Sequence, residues 1–311
     1  MAEIRIKDIN VMAKCDPHAL VRGSELRYRS FVGDIATRVA QNDKIRIILL
    51  AGPSGSGKTT TANLLADAIR KKGLSSFVIS LDDFYRNSDD PEYPRLPDGD
   101  RDYEAVEALN LPALEETLIA ISEGRSFFIP KYDFKKGCRV DLKSHRKILH
   151  GCVIIEGLHA LNPKVFEHLP KEKILKIFIS VSTNINDGGE RILSGRKLRF
   201  VRRMVRDSIY RGADAEQTLD MWRNVLAGED KNLYPFRSFA DIDFNTFHDF
   251  EPCVMRGYAE KLISEKLAEE NEYAKTVLTA LKKAEPIRES LVPQDSLIRE
   301  FITGGIYEEF Y

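Results

Sequence analysis

Several things are scarce in this sequence. Only four cysteines occur in 311 residues (Cys15, Cys138, Cys152 and Cys253), far apart and without a C-x-x-C pair. That excludes the ligand spacing of a cysteine metal site and gives no disulfide framework, so reduced thiols in a cytoplasmic protein are expected. No apolar run approaches the ~20 residues needed to span a bilayer. The chain is charged from Glu3 onward, without an apolar signal core. Charge of one sign is also missing. Forty-seven Lys and Arg stand against 48 Asp and Glu, a formal net charge of -1, which exerts no global pull on nucleic acid or on anionic membrane. Internal repeats, low-complexity tracts and an Asn-Lys-x-Asp guanine-reading motif are absent.

Against those absences, 43% hydrophobic and 31% charged residues describe an ordinary globular chain with enough material for a core. Its most informative stretch is Ile45 to Thr60. An apolar run, Ile45 to Ala51, reads as a buried strand and leads into Gly52-Pro53-Ser54-Gly55-Ser56-Gly57-Lys58-Thr59-Thr60. Helical spacing follows in Ala62, Leu65, Ala66 and Ile69. Strand, G-x-x-x-x-G-K-[ST] loop and helix in that order form a phosphate-binding loop. The glycines allow successive N–H groups to point at phosphate oxygens, and the helix adds its positive end. Gly52, Ser54, Gly55, Ser56, Gly57, Lys58, Thr59 and Thr60 are the candidate donor-binding set, with Lys58 on the β/γ-phosphates and the Thr59 hydroxyl on Mg²⁺.

Strands and helices then alternate. Strand patterns at Ser76–Ser80, Phe127–Pro130, Gly151–Ile155 and Ile174–Val181, and an edge-like pattern at Asp241–Phe247, surround helical patterns at 111–123, 215–228, 255–268 and 273–283. An α/β, doubly wound and mostly parallel sheet is predicted. Residues 86 to 101 read as a mobile covering loop. A basic run, Arg191 to Arg211, places Arg199, Arg202, Arg203 and Arg206 at i, i+3, i+4, i+7 with Asp207 as its one acid. One helix face with phosphate contact for some of these arginines is expected. The expected division is an N-terminal helical extension (1–43), a domain built around the phosphate loop (44–264) and a C-terminal helical extension (265–311). Ser24–Gln41 is the expected helix of the first segment, with packing or self-association into a homo-oligomer as its role.

The loop, Asp82-Asp83-Phe84-Tyr85, Tyr132-Asp133-Phe134, Ile155-Glu156-Gly157 and Arg202-Arg203-Met204-Val205-Arg206-Asp207 together, and in this order, resemble the uridine kinase/phosphoribulokinase family, closest to its uridine kinase branch. The resemblance implies a P-loop kinase fold with an arginine-rich helical lid, ATP and Mg²⁺ as cofactors, and transfer of the γ-phosphate to a primary hydroxyl of a small molecule, a nucleoside 5′-hydroxyl first. It implies Asp82 as the acid at the acceptor hydroxyl and Glu156 with Thr59 at Mg²⁺. Arg206 and Arg211 would be lid arginines, and Tyr85, Asp102, Tyr132 and Arg203 substrate contacts. Two departures concern the base: Gly137 and Ala213 stand where uridine kinases carry a histidine and an arginine, and neither has a side-chain donor. Opened space for a larger base or a non-nucleoside acceptor is the expectation there. The Asp82-Asp83 doublet also resembles phosphoribulokinase-like and glycerate-kinase-like relatives, and an added stretch at 184–195 is expected to lengthen the lid. A non-catalytic nucleotide switch and a nucleic-acid-associated ATPase are the rivals from other classes.

Overall fold

A computed structural model describes residues 2–96, 99–140 and 145–310 of the chain. Five strands form the central sheet in the order Ile242–Asn245, Ile174–Ser180, Ile47–Ala51, Gly151–Glu156, Ser75–Ser80, with every neighbouring pair parallel. The strand leading into the phosphate loop is central, and its residues Ile47 to Ala51 are all fully buried. A strand covered on both faces reads as a continuous apolar run, which explains the unbroken Ile-Ile-Leu-Leu-Ala.

Alternate residues of this strand feed two cores. Ile48 and Leu50 pack with Tyr28, Leu65, Val201, Met204 and Phe301 on one face; Ile47 and Leu49 pack with Leu114, Leu118 and Ile121 on the other. The loop helix (Lys58–Lys71), the arginine helix (Gly195–Tyr210) and the helices Pro17–Ala40, Glu251–Leu262 and Glu272–Lys282 lie on the first face; the helix Leu111–Ser122 lies on the second. The sheet is doubly wound, as the alternation of patterns predicts.

Several local expectations change. The first long helix begins at Pro17, with the Asp16 side chain capping the Ala19 N–H, and Gly33 is accommodated inside it. The helix expected over 255–268 begins at Glu251 and stops at Leu262, and a separate short helix covers Glu265–Glu270. The stretch at 184–195 does not lengthen the lid. Thr183–Asp187 and Glu190–Leu193 form an antiparallel pair around Gly188-Gly189, and Ala2–Arg5 adds to it as a parallel strand. The covering loop is pinned in its described part: Arg86 pairs with Asp90 and Glu92, and Tyr93 is buried. Its residues 97–98 lie outside the described set.

Candidate active site

Carboxyl ends of the parallel strands converge at the loop, the place where open α/β sheets bind ligands. Gly57 caps the loop helix at φ +89 and Gly55 turns at φ +73; a Cβ on Gly55 would sit 2.8 Å from the Arg199 carbonyl oxygen. Only glycine fits both positions. The Ser56 N–H bonds back to the Pro53 oxygen at 3.2 Å, and the Ser54 N–H to Glu229 Oε1 at 2.9 Å. The amides of Gly55, Gly57, Lys58 and Thr59 are therefore the candidates for phosphate oxygens, whereas those of Ser54 and Ser56 serve the loop's own shape. Thr60 is fully buried, and both its N–H and its hydroxyl donate to Glu300.

Around the loop, the structure brings most of the expected residues together. Ser54, Gly55, Lys58, Thr59, Asp82, Tyr85, Glu156, Arg203, Arg206 and Arg211 line one cavity of about 250 Å³. A larger cavity of about 650 Å³ shares Thr59, Asp82, Glu156, Arg206 and Arg211 with it and reaches Asn63, Arg70, Asp83, Lys131 and Phe134. Asp82 and Glu156 arrive from the ends of adjacent strands, Ser75–Ser80 and Gly151–Glu156. Burial holds the Asp82 carboxyl above its ordinary range, with Lys58 pulling the other way and Asp83 adding to the rise. Burial likewise pushes Glu156 up to about 7 against Lys58, with Asp82 and Glu300 contributing. A carboxylate kept basic by burial accepts a proton more readily than a solvated one.

Asp102 and Tyr132 line neither cavity. Asp102 caps the Glu104 N–H and pairs with Lys231 at 3.6 Å. Tyr132 is buried against Tyr85 and Phe134, with ring centroids 5.8 and 4.9 Å away. Nor does Gly137 open space: it turns at φ +66, and a Cβ there would meet Ser88 Oγ at 2.6 Å. Ser88 fills the volume, and its N–H bonds to the Gly137 oxygen at 2.7 Å.

The basic run divides in two. Arg199 and Arg202 are fully buried and line neither cavity; they pair with Glu229 and Glu251 at 2.7 and 2.6 Å, and donate to the Ser54 and Gly55 carbonyls. They hold the loop from behind, so of the four arginines expected on one helix face only Arg203 and Arg206 line the cavity. Arg203, Arg206 and Arg211 line the cavity, all three gathered on the buried carboxylate of Asp207. Arg203 also donates to Ser54 Oγ at 2.9 Å.

Reading the sequence missed Glu229 and Glu300, whose partners lie 175 and 240 residues away. Glu104, a cavity residue whose carboxyl is raised by desolvation on the cavity side and by Glu229, was missed as well. None belongs to a short motif. Asp207 was visible only as the lone acid among arginines, a signal sufficient to find it.

A model of the Phosphoribulokinase / Uridine kinase family matches residues 47–251, and the chain belongs to that family. It is 31% identical to a uridine kinase of Deinococcus deserti over 199 residues, covering 63% of this chain and 85% of the relative. It is 30% identical to a uridine kinase of Schizosaccharomyces pombe over 190 residues, covering 61% of this chain but only 38% of that longer protein. Among solved structures, D-glycerate 3-kinase of Cryptococcus neoformans aligns at 17% identity and a TM-score of 0.41, covering 66% of this chain and 87% of the other. Among the described residues, no helix is long and apolar enough to cross a membrane.

Proposed function

We propose that the protein is an ATP- and Mg²⁺-dependent kinase that phosphorylates a primary hydroxyl of a small molecule, with a nucleoside 5′-hydroxyl as the first acceptor class. The observation that carries this reading is the shared lining of one cavity by Lys58, Thr59, Asp82, Glu156, Arg206 and Arg211. Donor-side and acceptor-side chemistry meet there.

Lys58 and the loop amides bind the donor's terminal phosphates. Asp82 orients the acceptor hydroxyl and takes its proton as the oxygen attacks the γ-phosphorus, while the bond to the β-phosphate oxygen breaks. Arg206 and Arg211 carry the charge spread over the transferring group. The Thr59 hydroxyl and the Glu156 carboxylate are hard oxygen donors that fit Mg²⁺. Among the described residues no group of three or more His, Cys, Asp or Glu forms a ready-made metal cage, as suits a cation held largely by phosphates and water. When bound, Mg²⁺ neutralises charge on the β- and γ-phosphates.

A second reading, an anionic acceptor of the sugar phosphate or glycerate type, is favoured by Lys131 and Arg70 in the larger cavity beside Asp82 and Asp83. One screen tests both readings: nucleosides and anionic sugars are offered with MgATP, and products are read by mass. A phosphorylated nucleoside supports the first reading and a phosphorylated anionic acceptor the second. ATP turnover that ignores every acceptor, or responds to RNA, would contradict the kinase reading.

A further inference from the structure

The C-terminal segment, beyond the residues matched to the family, reaches the phosphate loop. Glu300 is buried, and its Oε2 accepts from the Thr60 N–H at 3.1 Å and the Thr60 hydroxyl at 2.9 Å. Leu297 is fully buried over Gly57, where a Cβ would stand 2.5 Å from Leu297 Cδ1. Phe301 lies 5.0 Å from the guanidinium of Arg202, which itself holds the Gly55 carbonyl. Glu300 also lines both cavities around Asp82. The segment is tied down at three further points: Arg299 to Glu289 at 2.8 Å, the Tyr210 hydroxyl to the Ile302 oxygen at 3.2 Å, and the Tyr307 hydroxyl to Asp67 at 2.5 Å. Tyr210 ends the arginine helix and Asp67 lies on the loop helix, so one strap joins both walls of the site.

A phosphate loop uses its backbone amides on the α- and β-phosphates, and those at the start of the helix carry the helix's positive end. Thr60 is the third residue of that helix. A carboxylate and a phosphate cannot share its N–H, and two buried anions in contact repel. Without the Thr60 amide, the amides of Gly55, Gly57, Lys58 and Thr59 and the Lys58 ammonium are left for a chain of two phosphates. A donor that continues to an α-phosphate meets Glu300.

We propose that Glu300 is the donor gate of this kinase: it holds the Thr60 amide and yields it to the α-phosphate of an entering nucleotide, loosening the strap Leu297–Phe301. This rests on the kinase reading above. Because the strap also holds Tyr210, donor entry is transmitted to the end of the arginine helix. Discrimination follows the length of the phosphate chain: pyrophosphate fits without moving Glu300, and ATP does not.

Hydrogen exchange on the full-length wild-type protein tests this directly. MgATP is expected to raise exchange in the peptide covering Leu297 to Phe301, and magnesium pyrophosphate to leave it unchanged. By calorimetry, Glu300→Gln is expected to bind ATP about tenfold more tightly, since the competent state no longer has to be reached against a competing anion; pyrophosphate affinity should stay within about twofold by the same argument. Leu297→Ala, which loosens the strap and leaves the carboxylate in place, should tighten ATP binding in the same direction. ATP that protects the strap, or binds Glu300→Gln no better than wild type, overturns the gate and leaves the kinase reading standing. If neither ATP nor pyrophosphate binds wild type or either variant, both fall.

Discussion

Glu156 stands under two opposing demands. The role proposed for it at Mg²⁺ needs a carboxylate, yet burial raises its carboxyl to about 7 from an ordinary 4.5. The folded protein therefore binds this proton more tightly than the unfolded chain. The stabilisation is fully present below about pH 4.5 and is lost as pH rises through about 7. In buffer without Mg²⁺ or nucleotide, the thermal midpoint should fall between about pH 5 and about pH 7.5. Glu156→Gln, which keeps the shape and removes the charge, should raise the midpoint at the higher pH and flatten the decline. A variant that loses stability equally at both ends would show that Glu156 is not strained by ionisation. Residues of this kind were legible because Lys58, Thr59, Asp82 and Glu156 follow strands within a few positions, where apolar run, turn and polar residue are adjacent in sequence. Glu229, Glu300 and Glu104 were not, because each is brought to the site by long-range packing that leaves no local pattern.

The arginine helix shows what periodicity can and cannot say about an element. Spacing of i, i+3, i+4, i+7 correctly puts four arginines on neighbouring rows. It is silent on which way the rows face. Arg199 and Arg202 turn inward because Glu229 and Glu251, from the helices Ala215–Asn232 and Glu251–Leu262, offer fully buried carboxylates; Arg203 and Arg206 lie toward the cavity. Buried pairs are costly to break and weak as net stabilisers. Arg202→Met should therefore cost about 3–5 kcal/mol in denaturant unfolding, because Glu251 is left buried and unpaired. The double variant Arg202→Met/Glu251→Leu should recover most of that loss. If the single variant costs under about 1 kcal/mol, the pair is not the brace described here.

At the scale of the whole molecule, the doubly wound sheet and the order of its motifs were readable, since buried parallel strands leave continuous apolar runs. The terminal segments were not readable as part of the site. Ile6, Ile9 and Tyr28 at one end, and Leu297, Ile298 and Phe301 at the other, join the core that contains Ile48 and Leu50. Where these segments dock depends on the completed fold, which no local pattern records. The result is a loop held from behind by Arg199 and Arg202, from the side by Glu300, and faced by Asp82 and the lid arginines. In the proposed reading the pairing of donor loop and Asp82 is what makes this arrangement a kinase, and Asp82→Asn separates the two. The variant keeps the donor residues intact, so MgATP should bind within about twofold of wild type, while transfer to the acceptor found by the screen should fall by about 10²–10⁴. Phosphorylation of that acceptor by Asp82→Asn at the wild-type rate would contradict the account.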